Sequence, residues 1–374
     1  MSKVIVNSIP LRGPMNGIGR YIKSLFNELI KEKHLDIEFF YGTYFSKKLE
    51  NDAVINKNIL GLAKRMPFYY FLRELYISNA IKLKTNKNNY LYHNPNFISY
   101  KLNCPIITNI HDISFIKFPE FHPKKRVDFL TKHIRRSIDI SDIILTDSNY
   151  IRDEIVDYFK INSDRVYSIP LGVSSNFKPK SDTDCKNILM ENGLIYKKYF
   201  LSVSTIEPRK NIISSIKAYI SLPEKIQKEY PLVIVGMDGW LNSELYDHVK
   251  KLLEKKRIIF LGHISEVKLP ILYGGAKLLI YPSLYEGFGL PIIEAYATGL
   301  PVISSNTSSM LEIGQNAAVI IDPLNIEQIH DSILKIINDI DYEKKLIIAG
   351  LKKSKKYTWQ STAKKTLEIY NKLL

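Results

Sequence analysis

Twelve short apolar segments, in two sets of six, alternate with amphipathic helical patterns and constrain the fold of this chain most strongly. The first set is residues 3–8, 36–41, 89–94, 105–110, 143–148 and 165–170, and the second is residues 199–204, 232–236, 257–262, 278–283, 301–305 and 318–322. Nearly continuous apolar runs of this length are typical of parallel strands that are covered on both faces. Helical patterns lie between them, for example at residues 19–32, 242–256 and 326–340. We therefore predict an α/β protein with two doubly wound domains that face each other across a cleft.

The length of 374 residues also suits two domains rather than one core. A polar, proline-containing segment without apolar periodicity, residues 178–185, is the predicted linker. This places the first domain at residues 1–180 and the second at residues 186–357. The chain ends in a further helical pattern, residues 358–374.

Composition excludes several classes of protein. Hydrophobic residues make up 45% of the chain, as in ordinary globular proteins. No apolar run approaches the roughly 20 residues of a membrane helix, and residues 1–13 lack the apolar core of a signal peptide. The two cysteines, Cys104 and Cys185, provide neither a disulfide framework nor the spacing of a metal site. We therefore expect a cytoplasmic protein with reduced thiols.

The motifs of metal, hydrolytic and phosphoryl-transfer sites are missing from the sequence. It contains no H-E-x-x-H, P-loop, nucleophile elbow or Cys/His cluster. Two Asp-x-Asp triplets, Asp182/Asp184 and Asp339/Asp341, follow no predicted strand. We interpret them as surface residues and expect no metal site and no cofactor.

A glycine-rich turn between two glutamates is the most specific motif in the chain. The segment SLYEGFGLPIIEAYATGLPVISSN, which begins at residue 283, places Glu286 and Glu294 eight positions apart. Gly287 and Gly289 allow the backbone to approach a ligand closely, and Pro291 suits the start of a helix. We expect Glu286 on a loop and Glu294 in the first helical turn, where backbone N–H groups favour an anion. Carboxylates beside such a helix start suit a ligand with both hydroxyls and phosphates, as in a nucleotide sugar, whereas a helix cap with a solvated glutamate is the alternative.

A basic pair follows the first strand of the second set, in the loop STIEPRKNI. Pro208 prevents a helix before it, and Asn211 is the expected N-cap of the helix after it. Arg209 and Lys210 then lie at that helix start, where a planar fork of donors and a point charge suit a diphosphate. The alternative is two solvated cations beside a helix.

The run E-G-F-G-L-P-x-x-E, followed by A-x-G-x-P-V, resembles the E-x7-E signature of the family 4 retaining glycosyltransferases. These enzymes have the GT-B architecture of two Rossmann-like domains, with a terminal helix that crosses back to the first. The resemblance is greatest to bacterial surface-polysaccharide mannosyltransferases. It implies that Glu286 contacts the transferred sugar, that Glu294 binds the ribose, and that Arg209 and Lys210 bind the donor diphosphate without a metal. The turn residues implied to contribute to the donor site are Gly287, Phe288, Gly289 and Leu290.

The same family pattern suggests residues in the first domain. The loop RGPMNGIGRY places Gly17 and Gly19 at a helix start, but Ile22 stands where a dinucleotide fingerprint needs a third glycine, which disfavours NAD binding. In the family such a turn approaches the phosphate or the acceptor. The family's histidine of an H-D pair lies against the transferred sugar, which implies this role for His111 of the pair His111–Asp112.

Asp147 and Ser148 end the fifth strand of the first set. We expect them to cap the next helix, with a position near the acceptor as the alternative.

Positive charge is concentrated in one part of the chain. The formal net charge is +15, and residues 57–136 contain 15 lysines and arginines against 4 acidic residues. Aromatic residues are mixed with the basic ones there, for example in AKRMPFYYFLRELY. Such segments are typical of a surface that binds an anionic membrane or a polyanion, and a solvated lysine-rich face is the alternative.

Taken together, these features predict a retaining, metal-independent glycosyltransferase that moves a hexose from a nucleotide sugar to a glycan acceptor. GDP-mannose is the favoured donor and a UDP-hexose the second choice. A lipid-linked acceptor would place the enzyme at the inner face of the cell membrane. The rival classes are a nucleotide-sugar epimerase of the same architecture, which needs further carboxylates in the cleft, and a nucleic-acid-binding protein, whose binding would fall steeply with salt.

Overall fold

A computed structural model of the chain describes residues 2–13, 17–50, 69–85, 90–236, 250 and 252–374. The fold divides into two compact units: the first contains residues 1–172 and 359–374, and the second contains residues 173–358. The division at residue 172 precedes the predicted linker at 178–185. The last four residues of that segment form the first turn of a helix instead, because Ser181 and Asp184 form a capping box.

Thirteen strands are described. In the first unit they are β1 Ser2–Asn7, β2 Leu35–Phe40, β3 Phe45–Ser46, β4 Tyr90–Asn94, β5 Ile106–Asn109, β6 Ile143–Thr146 and β7 Val166–Ser168. In the second unit they are β8 Phe200–Val203, β9 Leu232–Val235, β10 Ile258–Gly262, β11 Leu278–Tyr281, β12 Val302–Ser305 and β13 Val319–Ile321. All twelve predicted strands are present. The sequence analysis missed β3, a two-residue edge strand that pairs antiparallel to β2.

Fourteen helices are described. They are α1 Gly17–Leu29, α2 Tyr69–Thr85, α3 Ser114–Lys117, α4 Lys124–Ile140, α5 Asn149–Phe159, α6 Asp182–Glu191, α7 Ile212–Ile220, α8 Glu224–Glu229, α9 Leu269–Gly275, α10 Leu290–Ala297, α11 Ser308–Gly314, α12 Ile326–Asn338, α13 Ile340–Ser354 and α14 Trp359–Leu373. The final helix α14 packs on α1 within the first unit, which confirms the prediction that the chain returns to its first half. None of the described helices is both long enough and apolar enough to cross a bilayer.

Both sheets have the strand order of doubly wound proteins. The first sheet runs β3-β2-β1-β4-β5-β6-β7 and the second runs β10-β9-β8-β11-β12-β13. Apart from β3, all neighbouring strands are parallel. The order reverses between β1 and β4 in one sheet and between β8 and β11 in the other. Ligands of such sheets bind where the order reverses, outside the carboxyl ends of the strands.

The burial of the strands explains their apolar sequences. Val4, Ile5 and Val6 of β1 are fully buried, and so is every residue of β11 up to Ile280. Each sheet is therefore covered on both faces, as the continuous apolar runs predict.

Two predicted features fall partly outside the described residues. These are the helix at 242–256, of which residue 250 and residues 252–256 are described, and the basic, aromatic segment. Within that segment, residues 57–68 and 86–89 and the side chains of residues 69–74 lie outside the described part of the chain.

Candidate functional site

The loops after β8 and β11 lie at the point in the second unit where the strand order reverses. The loop after β8 contains Arg209 and Lys210, and the loop after β11 contains Glu286. Because β8 and β11 are adjacent parallel strands, their carboxyl ends meet at one edge of the sheet. The topology thus brings together residues that are 76 and 77 positions apart in the sequence.

The side chain of Asn211 connects these loops to each other. Pro208 opens a short 3-10 turn that ends at Lys210, and Asn211 follows it in the left-handed region with φ of 52°. Its side-chain amide donates to the carbonyl oxygens of Pro282, at 3.0 Å, and of Pro323, at 2.7 Å. Asn211 stands at the N-cap position of α7, but its side chain does not cap the helix as expected. It ties three loops together instead.

Four side chains form what we call the charged cluster: Arg209, Lys210, Tyr281 and Glu286. Lys210 Nζ donates to both carboxylate oxygens of Glu286 at 2.6 Å. The Tyr281 hydroxyl donates to Glu286 Oε1 at 2.5 Å, and Arg209 Nη1 donates to Glu286 Oε2 at 3.1 Å. Each carboxylate oxygen therefore accepts two hydrogen bonds, which matches its two lone pairs.

Burial and charge act against each other in the charged cluster. Burial alone would raise the pKa of Glu286, but Lys210 and Arg209 outweigh it and lower the pKa to about 2. Burial and the neighbouring Arg209 lower the pKa of Lys210, while Glu286 opposes this shift. With side-chain exposures of 15%, 12% and 8%, Arg209, Lys210 and Glu286 interact at low effective dielectric. The cluster thus holds two cations in fixed positions at the sheet edge.

The backbone of the glutamate loop is fixed by two serines that begin α11. The Glu286 backbone N–H donates to Ser308 Oγ at 3.0 Å, and Ser309 Oγ donates to the Glu286 carbonyl oxygen at 2.8 Å. Ser308 adopts φ of 48°, which is uncommon for a residue other than glycine. The sequence contains this Ser-Ser pair, but nothing in its pattern pointed to Glu286.

The other residues of the turn, from Gly287 to Leu290, shape its backbone and pack around it. Gly289 adopts φ of 104° directly before α10, a conformation that requires glycine. Gly287 is buried, and Phe288 packs edge-on against Tyr357 with 5.8 Å between ring centroids. Leu290 is the first residue of α10 and is half-buried.

Glu294 is buried, with 3% of its surface exposed. It is the fifth residue of α10, one position beyond the first turn in which it was expected. Pro291 lies in the first turn, as predicted.

In the first unit, His111 follows β5 and pairs with Asp147, which follows β6. His111 Nδ1 lies 2.8 Å from Asp147 Oδ2, and Nε2 lies 3.3 Å from the carbonyl oxygen of Pro95. Burial opposes a charge on the ring, but Asp147 outweighs it and raises the pKa of His111. The expected cap role of Asp147 is therefore wrong, and Ser148 alone caps α5, accepting from the Ile151 N–H.

The predicted glycines lie at the start of α1. Gly17 is its first residue and is exposed, and Gly19 is buried. Two residues further on, Tyr21 packs edge-on against the His111 ring with 5.2 Å between centroids. Asp112 accepts from the N–H and the hydroxyl of Ser114 at 2.9 and 2.7 Å.

Sequence reasoning missed several polar residues near these sites. Tyr281 is the last residue of β11, and His93 and Asn109 are buried within or at the end of β4 and β5. A tyrosine, a histidine or an asparagine inside an otherwise apolar strand is a usable signal, since a buried polar group needs a partner.

Neither Asp-x-Asp triplet lies at these sites. Asp182 and Asp184 occupy the first turn of α6, and Asp339 and Asp341 cap and begin α13. Across the described residues, no group of three or more histidine, cysteine or acidic side chains could hold a metal ion.

Comparison with known proteins identifies the family of the chain. The model for Glycosyltransferase Family 4 matches residues 15–177, and the model for Glycosyl transferases group 1 matches residues 190–353. The chain is 32% identical over 381 residues to the O-antigen chain mannosyltransferase B of Escherichia coli, covering 99% of this chain and 100% of that protein. The chain belongs to the family 4 glycosyltransferases.

Two further similarities concern part of the chain and its fold. The chain is 29% identical over 277 residues to the serotype-specific mannosyltransferase WbdA of E. coli, which covers 72% of this chain but only 32% of WbdA. The crystal structure of HepE from Anabaena in complex with UDP-glucose has a TM-score of 0.74 and 15% identity, and covers 100% of each chain. This family 4 glycosyltransferase therefore has the GT-B type of fold that the sequence predicts.

Proposed function

We propose that this glycosyltransferase moves a hexose from a nucleoside diphosphate sugar to a hydroxyl of a glycan acceptor, with retention of configuration and without a metal ion. The first choice of donor is GDP-mannose. The acceptor is a growing surface polysaccharide on a lipid carrier.

The charged cluster is the observation that carries this proposal. It places an arginine and a lysine at the point of strand reversal where doubly wound sheets bind nucleotides. Fixed cations at this position stabilise the negative charge that develops on a departing diphosphate. A bound divalent metal would perform the same task in other glycosyltransferases, so Arg209 and Lys210 make a metal unnecessary.

The remaining roles follow the family pattern. Glu286 contacts the transferred sugar once the donor diphosphate draws Arg209 or Lys210 away from its carboxylate. Glu294 binds the ribose, and Gly287 and Gly289 allow the backbone to approach the donor. His111 Nε2, which lies 3.3 Å from the Pro95 carbonyl oxygen, donates to a sugar oxygen in exchange for that contact.

Mannose is favoured because a relative that matches over the full chain is a mannosyltransferase. A UDP-hexose is the second candidate, since HepE, which shares the fold, was crystallised with UDP-glucose. A thermal-shift panel of GDP, UDP and ADP with their sugars separates the two. A ligand at 100 times its Kd stabilises the native state by about 2.7 kcal/mol, so the preferred donor raises Tm by several degrees. No response to any nucleotide sugar would contradict the proposal.

Transfer of labelled mannose from GDP-mannose tests the role of the cations. We expect full activity in EDTA, and a loss of about 100-fold or more in kcat for Arg209→Ala. Lys198→Ala is the matched control, because this exposed lysine of the same unit pairs only with Glu229 among the ion pairs of the described residues. Activity that is abolished by chelation and restored by magnesium or manganese would contradict metal independence.

Helix α4 supports the proposed contact with an anionic membrane. Its exposed residues include Lys124, Lys125, Arg126 and Lys132, and Phe129 is 41% exposed among them. Each basic residue near an anionic surface contributes about 1 kcal/mol, which gives reversible and salt-sensitive binding. Cosedimentation should therefore detect binding to anionic vesicles that weakens when Lys124, Lys125 and Arg126 are changed together to Glu. Equal binding to neutral vesicles would contradict the proposal.

A further inference from the structure

A chain of buried polar side chains crosses the first unit from the last helix to the first. We call it the polar chain; it consists of Tyr370 in α14, His93 in β4, Asn109 in β5 and Tyr21 in α1. The Tyr370 hydroxyl lies 2.6 Å from His93 Nδ1, and His93 Nε2 lies 2.6 Å from Asn109 Oδ1. Asn109 Nδ2 donates to the Tyr21 hydroxyl oxygen at 2.9 Å. The side chains of His93 and Tyr370 are fully buried.

The hydrogen bonds of the polar chain all run in one direction. Asn109 Oδ1 is an acceptor, so His93 Nε2 must carry the ring proton. Burial lowers the pKa of His93 to about 4, with Asn109 opposing and His111 adding to the shift, so the ring is neutral and has one proton. His93 Nδ1 therefore accepts from the Tyr370 O–H. At the far end, the Tyr21 oxygen accepts from Asn109, which directs the Tyr21 proton away from Asn109.

The polar chain ends beside His111. The Tyr21 and His111 rings meet edge to face, at 5.2 Å and 76°. The partner of His111, Asp147, is buried, and its Oδ1 has no hydrogen-bond partner among the described residues. The ring of Trp359, the first residue of α14, lies 6.1 Å from the Tyr21 ring. The last helix thus reaches Tyr21 both through the polar chain and by ring contact.

A stable core does not need such a chain. Replacing both partners of a buried hydrogen bond with apolar groups of the same shape is often nearly neutral for stability. A buried network that is satisfied along its length instead fixes the orientation of its members. Here the member at the end of the network is the ring against which His111 packs.

We propose that the polar chain positions His111 for the transfer step, with Tyr370 and Tyr21 as positioning residues. The polar chain holds the Tyr21 ring and hydroxyl in one orientation. Through its contact with the His111 ring, Tyr21 in turn holds the His111–Asp147 pair in place. The inference rests on the proposed function, in which His111 faces the transferred sugar.

Tyr-to-Phe variants test this with the smallest change. We expect Tyr370→Phe and Tyr21→Phe each to lower kcat about tenfold while the Kd for the nucleotide stays unchanged. Tyr92→Phe is the matched control and should have the parent kcat, because the Tyr92 hydroxyl lies in the same strand as His93 but is buried without a partner among the described residues. The double variant Tyr21→Phe/Tyr370→Phe should lose no more than the larger single loss, because members of one network do not act additively. Two results would overturn the proposal. One is a kcat loss in the double variant equal to the product of the two single losses, and the other is a loss of activity in each variant that only follows its folded fraction, as a merely structural role would give.

NMR titration of the His111 ring keeps the inference separate from the proposed function. The pKa of His111 should change in Tyr370→Phe and Tyr21→Phe and stay at the parent value in Tyr92→Phe. If no donor supports transfer but these shifts appear, the proposed function fails and the positioning of His111 stands. An unchanged His111 titration in all three variants would overturn the inference whatever the activity.

Discussion

The charged cluster of the second unit and the polar chain of the first unit use opposite means to fix a side chain at a sheet edge. In the charged cluster, a carboxylate with a pKa of about 2 accepts four hydrogen bonds, three of them from cations. In the polar chain, a histidine with a pKa of about 4 stays neutral, and the hydrogen bonds that link the four side chains all run in one direction. Both sheets are parallel apart from β3, and both reverse their strand order in the same way.

The proposed function accounts for this difference. Fixed cations suit a diphosphate, which brings two or more negative charges. A sugar ring has hydroxyls but no charge, so its binding depends more on the orientation of the hydrogen-bonding side chains than on the electrostatic field. The shared topology determines where a site lies, and the residues of the loops determine its chemistry.

Removing the carboxylate of the charged cluster should have the largest effect. Glu286→Ala leaves Lys210 and Arg209 buried side by side without their anion, which costs about 3–5 kcal/mol of the free energy of unfolding. Urea unfolding at pH 7 measures this loss. Transfer should also fall, because the two cations lose their fixed positions.

Glu207→Ala is the control for that change. Glu207 binds Arg209 Nε at 3.2 Å and its side chain is 26% exposed, so its loss should cost about 1 kcal/mol or less. Equal losses for the two variants would show that the charged cluster is no more coupled than a surface pair.

The polar chain should make the free energy of unfolding depend on pH in the acid range. His93 has a lowered pKa, so between pH 6.5 and about 4 the unfolded chain binds more protons than the native one. The free energy of unfolding should therefore fall as the pH drops through this window, by about 3 kcal/mol in total. In His93→Gln, which keeps a donor and an acceptor, this part of the loss should disappear. Urea unfolding across the pH range measures both curves.

The charged cluster should affect the free energy of unfolding in a different pH range, so it provides an internal comparison. The pKa of Glu286 is lowered from 4.5 to about 2, so its contribution is complete above pH 4.5 and is lost only as the pH falls towards 2. His93→Gln should leave that lower limb unchanged. Curves of parent and His93→Gln that stay parallel from pH 6.5 to 4 would mean that His93 is not held neutral.

Local patterns predicted most of the fold and only part of each site. The strands were predictable because burial on both faces leaves a continuous apolar run, whereas β3 is only two residues long. The linker prediction failed although Ser181 and Asp184 have the spacing of a capping box. Arg209, Lys210 and Glu286 were predictable one by one, since each follows a strand.

The contacts inside the sites were not predictable, because they join distant parts of the chain. That Glu286 itself binds both cations depends on the adjacency of β8 and β11. The contact of His93 with Tyr370 spans 277 positions and depends on the return of α14 to the first unit. No local pattern contains such information.

The smallest predicted effect compares one chemical change in the two regions. Tyr281→Phe removes a hydroxyl that donates to a carboxylate, and Tyr370→Phe removes one that donates to a neutral imidazole. A hydrogen bond to a charged group contributes about 1.5–3 kcal/mol, and one between neutral groups about 0.5–1.5 kcal/mol. We therefore expect Tyr281→Phe to lose about 1 kcal/mol more of the free energy of unfolding than Tyr370→Phe, as measured by urea unfolding at pH 7. Raising the pH cannot remove this difference before the lysine titrates, because Glu286 stays ionised throughout. If Tyr370→Phe proved the more destabilising, the polar chain rather than the charged cluster would be the more strongly coupled of the two.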